Sequence, residues 1–230
     1  VKHRALEAPP DPVQIGKSVR TSIEAFLHAS PNAVDSRFPA RIEKFAIEIA
    51  RWGSKMNLTA HPEDPDEIAF HVLDSLMPVI LAGVESSILA DSFDANRKIL
   101  DLGSGAGFPG LVLAAATSAN FTLVESRRKR ASFLQVAAAA MGLENARIES
   151  QRVEDLGLAS QYHLVTARAF GDSADFFALA SKALKPGGLA MLYANPSQHF
   201  APEVTRLSYS VARRGTKVAR ILALYRQPVD

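Results

Sequence analysis

The sequence predicts an α/β protein: a doubly wound, Rossmann-like parallel sheet closed by a C-terminal antiparallel hairpin and preceded by an N-terminal helical segment. Three observations predict it. Up to about residue 94 the apolar residues recur at helical spacing. From residue 98 onward, short β-rich runs alternate with segments of helix length. The first of those runs, Lys98–Leu102, enters a glycine cluster and leaves it at Pro109, which opens a helix.

Taken in order, residues 1–12 carry three prolines and no period, and read as a loose arm. Val13 to His28 places apolar residues at 15, 19, 23, 26 and 27, close to helical spacing. Arg41 to Trp52 repeats the pattern with Ile42, Phe45, Ile49 and Trp52. A third helix is expected from Asp66 toward Met77, entered after Pro65. Strands are expected at 98–102, 121–124, 147–148, 162–166 and 189–193, with helices at 109–117, 127–141 and 173–184 between them. Pro186-Gly187-Gly188 stops the last helix and turns the chain into the fifth strand. From about 205 to 226, β-branched residues flank Arg213-Arg214-Gly215, the pattern of a terminal hairpin. The expected division is an arm at 1–12, a helical segment at 13–94 and a sheet domain at 95–230.

Composition excludes several chemistries. With 230 residues, 47% hydrophobic and 22% charged, the chain can bury a core without staples. It has no cysteine, which removes disulfides, thiolate metal sites, iron–sulfur clusters and cysteine nucleophiles, and fits a reducing cytoplasm. No run of 18 apolar residues and no basic-then-apolar leader occurs, so neither a membrane span nor a signal peptide is expected. The six histidines are scattered, so no metal site is expected. No large apolar stripe is left over, and a monomer is expected. Net charge is only +2, but the cations cluster. Arg127, Arg128, Lys129 and Arg130 form one run, and Arg206 to Arg226 holds six Arg/Lys and no acid. A basic cluster is usually a solvated face, yet two of them on a small chain suit an anionic partner.

The glycine loop reads Ile99-Leu-Asp-Leu-Gly-Ser-Gly-Ala-Gly-Phe-Pro-Gly110. Glycines after a strand permit positive φ and let a ligand touch the backbone, while the helix start offers free N–H groups. Asp101, Gly103, Ser104, Gly105 and Gly107 are therefore candidate ligand-binding positions. Two ligand classes compete. Gly105 to Gly110 matches G-x-G-x-x-G, the dinucleotide fingerprint, which alone is a weak signal. The wider D-x-G-x-G-x-G, starting at Asp101, resembles the first motif of class I S-adenosylmethionine methyltransferases. Glu125 ends the second strand, where a carboxylate can accept from both ribose hydroxyls in either class. Lys185-Pro-Gly-Gly before the fifth strand resembles the usual methyltransferase turn, and tips the balance to S-adenosylmethionine.

Several further segments resemble one family, the bacterial RsmG (GidB) small-subunit ribosomal RNA methyltransferases. They are Trp52…Met56-Asn57-Leu58-Thr59, His71-Val-Leu-Asp-Ser75, Lys129-Arg130…Phe133-Leu134, Arg152-Val-Glu154 and Ala167-Arg-Ala-Phe170, with the glycine loop among them. The resemblance implies methylation of N7 of one guanine in the 530 loop of 16S rRNA, within the small ribosomal subunit, with S-adenosylmethionine as donor. It places cofactor contacts at Gly103, Phe108, Val153, Glu154 and Arg168, the last beside the methyl group. One departure stands out: the family often has Leu-Lys-Gly after the fifth strand, and this chain reads Leu192-Tyr-Ala-Asn195.

The chemistry agrees with these residues. Guanine N7 carries a free lone pair and no proton, so the reaction needs positioning rather than a general base. The Asn/Asp-Pro-Pro-aromatic motif of exocyclic-amine methylation is absent after the fourth strand, where Ala167-Arg168-Ala169-Phe170 stands instead. Carbon-5 pyrimidine methylation needs a thiolate, and there is none. Arg168 is the candidate positioning residue for catalysis, able to meet guanine O6, the cofactor carboxylate or a phosphate. Phe170 can stack on a base or pack under the loop. His71 and Asp74, three apart on one helical face, read first as a helix-stabilising pair and second as an acid–base or substrate pair. Asn57 and Thr59 are candidates for a cap or for the substrate mouth, and Trp52 for the core. Arg127, Arg128 and Arg130, extended by Arg213, Arg214, Lys217 and Arg220, form the expected RNA backbone track. Two other readings stay open: a nicotinamide-dependent oxidoreductase, and an RNA-binding module that has lost turnover.

Overall fold

A computed structural model describes residues 10–28, 34–53, 55–84 and 87–229. The expected arm lies mostly outside the described residues. Asp11 caps α1 (Pro12–Leu27), its carboxylate accepting from the Val13 N–H. α2 (Phe38–Gly53) follows, buried through Phe38, Ile42, Phe45 and Ile49, the stripe read from the sequence. Asp64 caps α3 (Pro65–Ala82) by accepting from the N–H groups of Asp66 and Glu67. This helix runs past the expected end at Met77 and through Pro78. Residues 67–70 and 72–79 are all buried, so packing on every side holds the helix despite the missing proline N–H.

The sheet has seven strands in the order β3-β2-β1-β4-β5-β7-β6. β1 (Lys98–Leu102), β2 (Asn120–Val124), β3 (Ala146–Glu149), β4 (Tyr162–Arg168) and β5 (Leu184–Ala194) are parallel. β6 (Thr205–Arg213) and β7 (Thr216–Arg226) form the hairpin, and β7 joins β5 antiparallel. The turn is at Arg214-Gly215, both at positive φ. β5 starts at Leu184, earlier than expected, because Gly187 N–H donates to Gln227 and Gln227 N–H to Gly188, pairing the Pro-Gly-Gly turn with the chain end.

Strand residues alternate between two cores. Ile99, Phe121, Leu123, Leu164 and Met191 face one way, onto α1–α3, α4 (Gly110–Ala116) and α5 (Arg128–Met141). Leu100, Leu102, Val124, Val165 and Leu192 face the other, onto Phe176, Ala180 and Ala183 of α6 (Ser173–Ala183). The helical segment thus shares one core with the sheet. Strand order reverses between β1 and β4, so the ligand crevice of such a sheet opens at the carboxyl ends of those strands.

Candidate active site

The glycine loop leaves β1 at that crevice. Gly103, Gly105 and Gly107 take φ of 71°, 55° and 91°, a region costly to any residue with a Cβ. They do different work. A Cβ on Gly103 would meet nothing within 4 Å, so this is the open side of the loop. A Cβ on Gly107 would strike the Leu111 side chain at 2.8 Å, and one on Gly110 would strike Asp101 Oδ2 at 2.4 Å. Those two glycines let α4 sit close on the strands, and Gly107 is a packing position rather than the ligand contact expected of it.

Ser104 and Asp101 need the same correction. Ser104 is buried and its hydroxyl donates to the Asp101 carbonyl at 3.2 Å, turned away from the open side. Asp101 is fully buried beneath the loop, with neither carboxylate oxygen hydrogen-bonded. Burial pushes its pKa up to about 7.

Glu125, at the end of β2, lies directly under the loop. Its Oε2 accepts from Gly105 N–H at 3.0 Å and its Oε1 from Arg127 N–H at 2.8 Å. Each oxygen keeps a further lone pair. The carboxylate expected to bind ribose therefore also ties the loop to the start of α5. Val153 and Glu154 form a short 3₁₀ turn, Val153–Asp155, after β3. A strand-end carboxylate with spare acceptor capacity, beside a glycine whose missing Cβ leaves open space, fits the ribose and backbone-bound portion of S-adenosylmethionine.

On the other side of the loop, Phe108 is buried against Phe45, with ring centroids 5.2 Å apart, and against His71, at 5.4 Å. The Arg168 guanidinium lies over the same ring at 5.4 Å. Arg168 ends β4, and its side chain is only 15% exposed. Nη2 donates to His71 Nδ1 at 2.7 Å, and Nη1 lies 3.4 Å from Asp74 Oδ2. An arginine cannot accept, so Nδ1 is the bare nitrogen of the His71 ring and the proton sits on Nε2. Burial, then the charges of Arg168, Arg213 and Arg220, lower the His71 pKa to about 3. His71 is therefore neutral and already engaged.

The expected His71–Asp74 pair does not form. His71 Nε2 faces Glu67 Oε1 at 3.6 Å instead. Asp74 is fully buried and turns toward the hairpin: it accepts from Tyr209 Oη at 2.8 Å and from Arg220 Nε and Nη2, both at 3.2 Å. His71 and Asp74 meet only through Arg168. The hairpin arginines are also corrected as members of an RNA track. Arg213 donates to both Glu67 oxygens, at 2.9 and 2.6 Å, and stacks over Phe70 at 5.2 Å. Arg214 pairs with Asp64. The acids that neutralise these cations all lie on or beside α3, and clamp the hairpin to it. Glu67 and Tyr209 were missed in the sequence, and Arg220, expected in the RNA track, is instead held by Asp74. Their signal was the match between an acid-free hairpin and the acids of residues 63–74.

The run at the start of α5 differs. Arg127, Arg128 and Lys129 are exposed, and among the described residues no carboxylate pairs with any cation from 127 to 130. With Lys55, Met56 and Asn57 they line a cleft of about 360 Å³. Arg130 Nη2 donates to the Asn57 carbonyl at 3.2 Å, and Asn57 holds positive φ. The structure thus brings Asn57 to Arg127–Arg130, and pairs Arg213 and Arg214 with Glu67 and Asp64 at the start of α3. A second cavity, about 400 Å³, opens beyond β4 and β5 beside Arg168. A larger one, about 560 Å³, lies by Lys98, Asn120 and Asn145, where strands begin, on the wrong edge of the sheet for the glycine loop. Trp52 packs on Phe133, and Phe170 on Phe176, each partly buried against the core. No group of three His, Asp or Glu suited to a metal occurs among the described residues, and no helix there is long and apolar enough to cross a membrane.

Known proteins resemble the chain over most of its length. The family described as rRNA small subunit methyltransferase G (GidB) matches residues 39–225. A protein of that name from Ralstonia nicotianae is 34% identical over 185 residues, 79% of this chain and 82% of the relative. One from Sorangium cellulosum is 31% identical over 83% of this chain and 77% of the relative. Among solved structures, an RNA methyltransferase from Salinibacter ruber in complex with S-adenosyl-L-homocysteine has a TM-score of 0.47 at 17% identity, over 60% of this chain and 86% of that one. The family match decides between the two ligand classes of the glycine loop in favour of S-adenosylmethionine, and removes the oxidoreductase reading. The chain therefore belongs to the rRNA small subunit methyltransferase G family.

Proposed function

We propose that this methyltransferase acts on N7 of a guanine in the 530 loop of 16S rRNA, as a monomer in the cytoplasm. The observation that carries the N7 assignment is the state of His71. It is the only histidine against Arg168 among the described residues, it is neutral, and its bare nitrogen is already taken by the guanidinium. Asp101, whose carboxyl burial pushes up to about 7, is sealed beneath the loop. A site without a free base suits a nucleophile that carries no proton, and N7 is one.

Bound S-adenosylmethionine supplies an electrophilic sulfonium methyl. Gly103 and Gly105 would hold its backbone-contacting portion, Glu125 its ribose hydroxyls, Val153 and Glu154 the adenine side, and Phe108 with Arg168 the edge facing the substrate. Arg168 positions; it moves no proton. It is held from three sides, by Phe108, His71 and Asp74, so it pays little entropy on meeting its ligand. The RNA backbone would follow Arg127, Arg128, Lys129 and Arg130 past Asn57, where charge is uncompensated and exposed.

The test is methyl transfer from labelled S-adenosylmethionine to unmethylated small subunits and to their naked RNA, with the modified base mapped. Label on one guanine N7 in the 530 loop is the expected result. Label elsewhere would overturn the site assignment. Absence of label from protein that binds the cofactor by calorimetry would overturn the substrate.

A further inference from the structure

The cavity beyond β4 and β5 is left unexplained by the cofactor loop. It is walled by three kinds of group. Phe70 and Phe170 are flat apolar rings. Arg168 and Arg220 are guanidiniums held from behind by one carboxylate, Asp74. Asn195 and Gln198 are amides on the chain leaving β5. Charge does not cancel here. Two guanidiniums face one carboxylate and a neutral histidine, which leaves one positive charge at a wall that would meet acceptor atoms.

The two amides are placed differently. Asn195 Oδ1 accepts from Arg220 Nη1 at 2.7 Å, so Asn195 aims Arg220. Gln198 is half-buried and its side-chain amide has no hydrogen-bond partner among the described residues. Next to the cavity, Ala169 holds a φ of 55°, an unusual conformation for alanine that turns Phe170 away from β4. Rings for a base face, donors for acceptor atoms and a spare amide make a set suited to a purine rather than to phosphate. Guanine shows N7 and O6, both acceptors, on one edge, and N–H donors on the other. About 400 Å³ is ample for one flipped base.

Resting on the reading of methyl transfer to guanine, we propose that this cavity receives the flipped target base and that Gln198 reads its N1/N2 edge, while Arg168 and Arg220 face O6. Gln198 is then the residue that distinguishes guanine from purines lacking the 2-amino group.

The experiment compares small subunits reconstituted on ligated 16S RNA carrying guanosine or inosine at the target position. Inosine keeps N7 and O6 and lacks only the 2-amino group. Wild-type protein should prefer guanosine by about tenfold in kcat/KM, the worth of one hydrogen bond to a polar group. Gln198→Ala should methylate both at the inosine rate, with cofactor affinity unchanged by calorimetry. Gln198 is not a core residue, and Gln198→Glu, whose carboxylate still accepts from N1–H and the 2-amino group, should keep the preference for guanosine. Equal rates on both substrates with wild type, or full discrimination kept by Gln198→Ala, would overturn the proposal. So would a uniform loss of affinity for both substrates, which would mark the cavity as a phosphate site. No label on guanosine from wild type would fail the methyl-transfer reading itself, and this proposal with it.

Discussion

Two arginine-rich stretches look alike as sequence and behave oppositely as structure. The run at 127–130 stands at the start of a helix, with 127–129 exposed, and no carboxylate pairs with any of it among the described residues. The hairpin arginines 213, 214 and 220 each meet an acid: Glu67, Asp64 and Asp74. The first stretch projects charge into solvent, where it can recruit phosphates over about a Debye length. The second spends its charge inside the molecule, and the spending organises the site, because Asp74 holds both Arg220 and Arg168. A cation's role is thus set by whether the fold supplies it with a counter-charge.

Removing that counter-charge should have the largest effect. Asp74→Ala leaves two guanidiniums in a buried site, and should lower unfolding free energy by about 3–5 kcal/mol in urea titration. A loss under about 1 kcal/mol would mean that the hairpin is held by strand pairing alone. Next is Arg168→Lys. It keeps the charge but loses the planar fork that binds His71, Asp74 and the Phe108 face together. Single-turnover methyl transfer should fall on the order of 100-fold with cofactor affinity little changed.

The comparison itself is sharpened by a pair of substitutions. Arg127, Arg128 and Arg130 changed together to Gln should weaken RNA binding and flatten its logarithmic salt dependence by about 2–3. Arg213→Gln should leave that slope alone and instead lower stability by about 1–3 kcal/mol, since Glu67 is buried and loses both its donors. If the two variants exchanged phenotypes, the division of labour would be broken.

The remaining effects are in pH. His71 has its pKa lowered to about 3 from 6.5, so the fold favours the neutral ring. Its contribution is complete above pH 6.5 and is lost as pH falls toward 3. Asp101 has the opposite sign. Raised to about 7 from 3.8, it contributes fully below pH 3.8 and loses that as pH rises through 7. Circular-dichroism unfolding across this range should show His71→Gln flattening the acid limb and Asp101→Asn the neutral one.

Some of this was legible in the sequence. Apart from the early start of β5, every helix and strand of the sheet domain was placed within a few residues, because apolar period, glycine and proline act over the same short distances as secondary structure. The places of Glu125, Phe108 and Arg168 at the carboxyl edge of the sheet were legible because each ends or follows a strand there. Less legible were the exceptions. The third helix was expected only as far as Met77, and packing carries it through Pro78 to Ala82. Ser104, Gly107 and Asp101 belong to the glycine motif, yet face the protein rather than the ligand. A motif names which positions are constrained, not which side of the loop each side chain takes.

Gln198 and Asn195 had no signal at all, since a pair of amides in a loop acquires meaning only from the cavity it lines. The amino-acid sequence by itself determined the doubly wound sheet, the helical segment, the glycine loop and the exclusion of thiol chemistry, all of which follow from local pattern or composition. Only the tertiary structure decided which arginines are free and which are paired, because the partners are up to 150 positions apart in the chain. Charge pairing depends on distance in space, and that distance exists only once the hairpin has docked on α3.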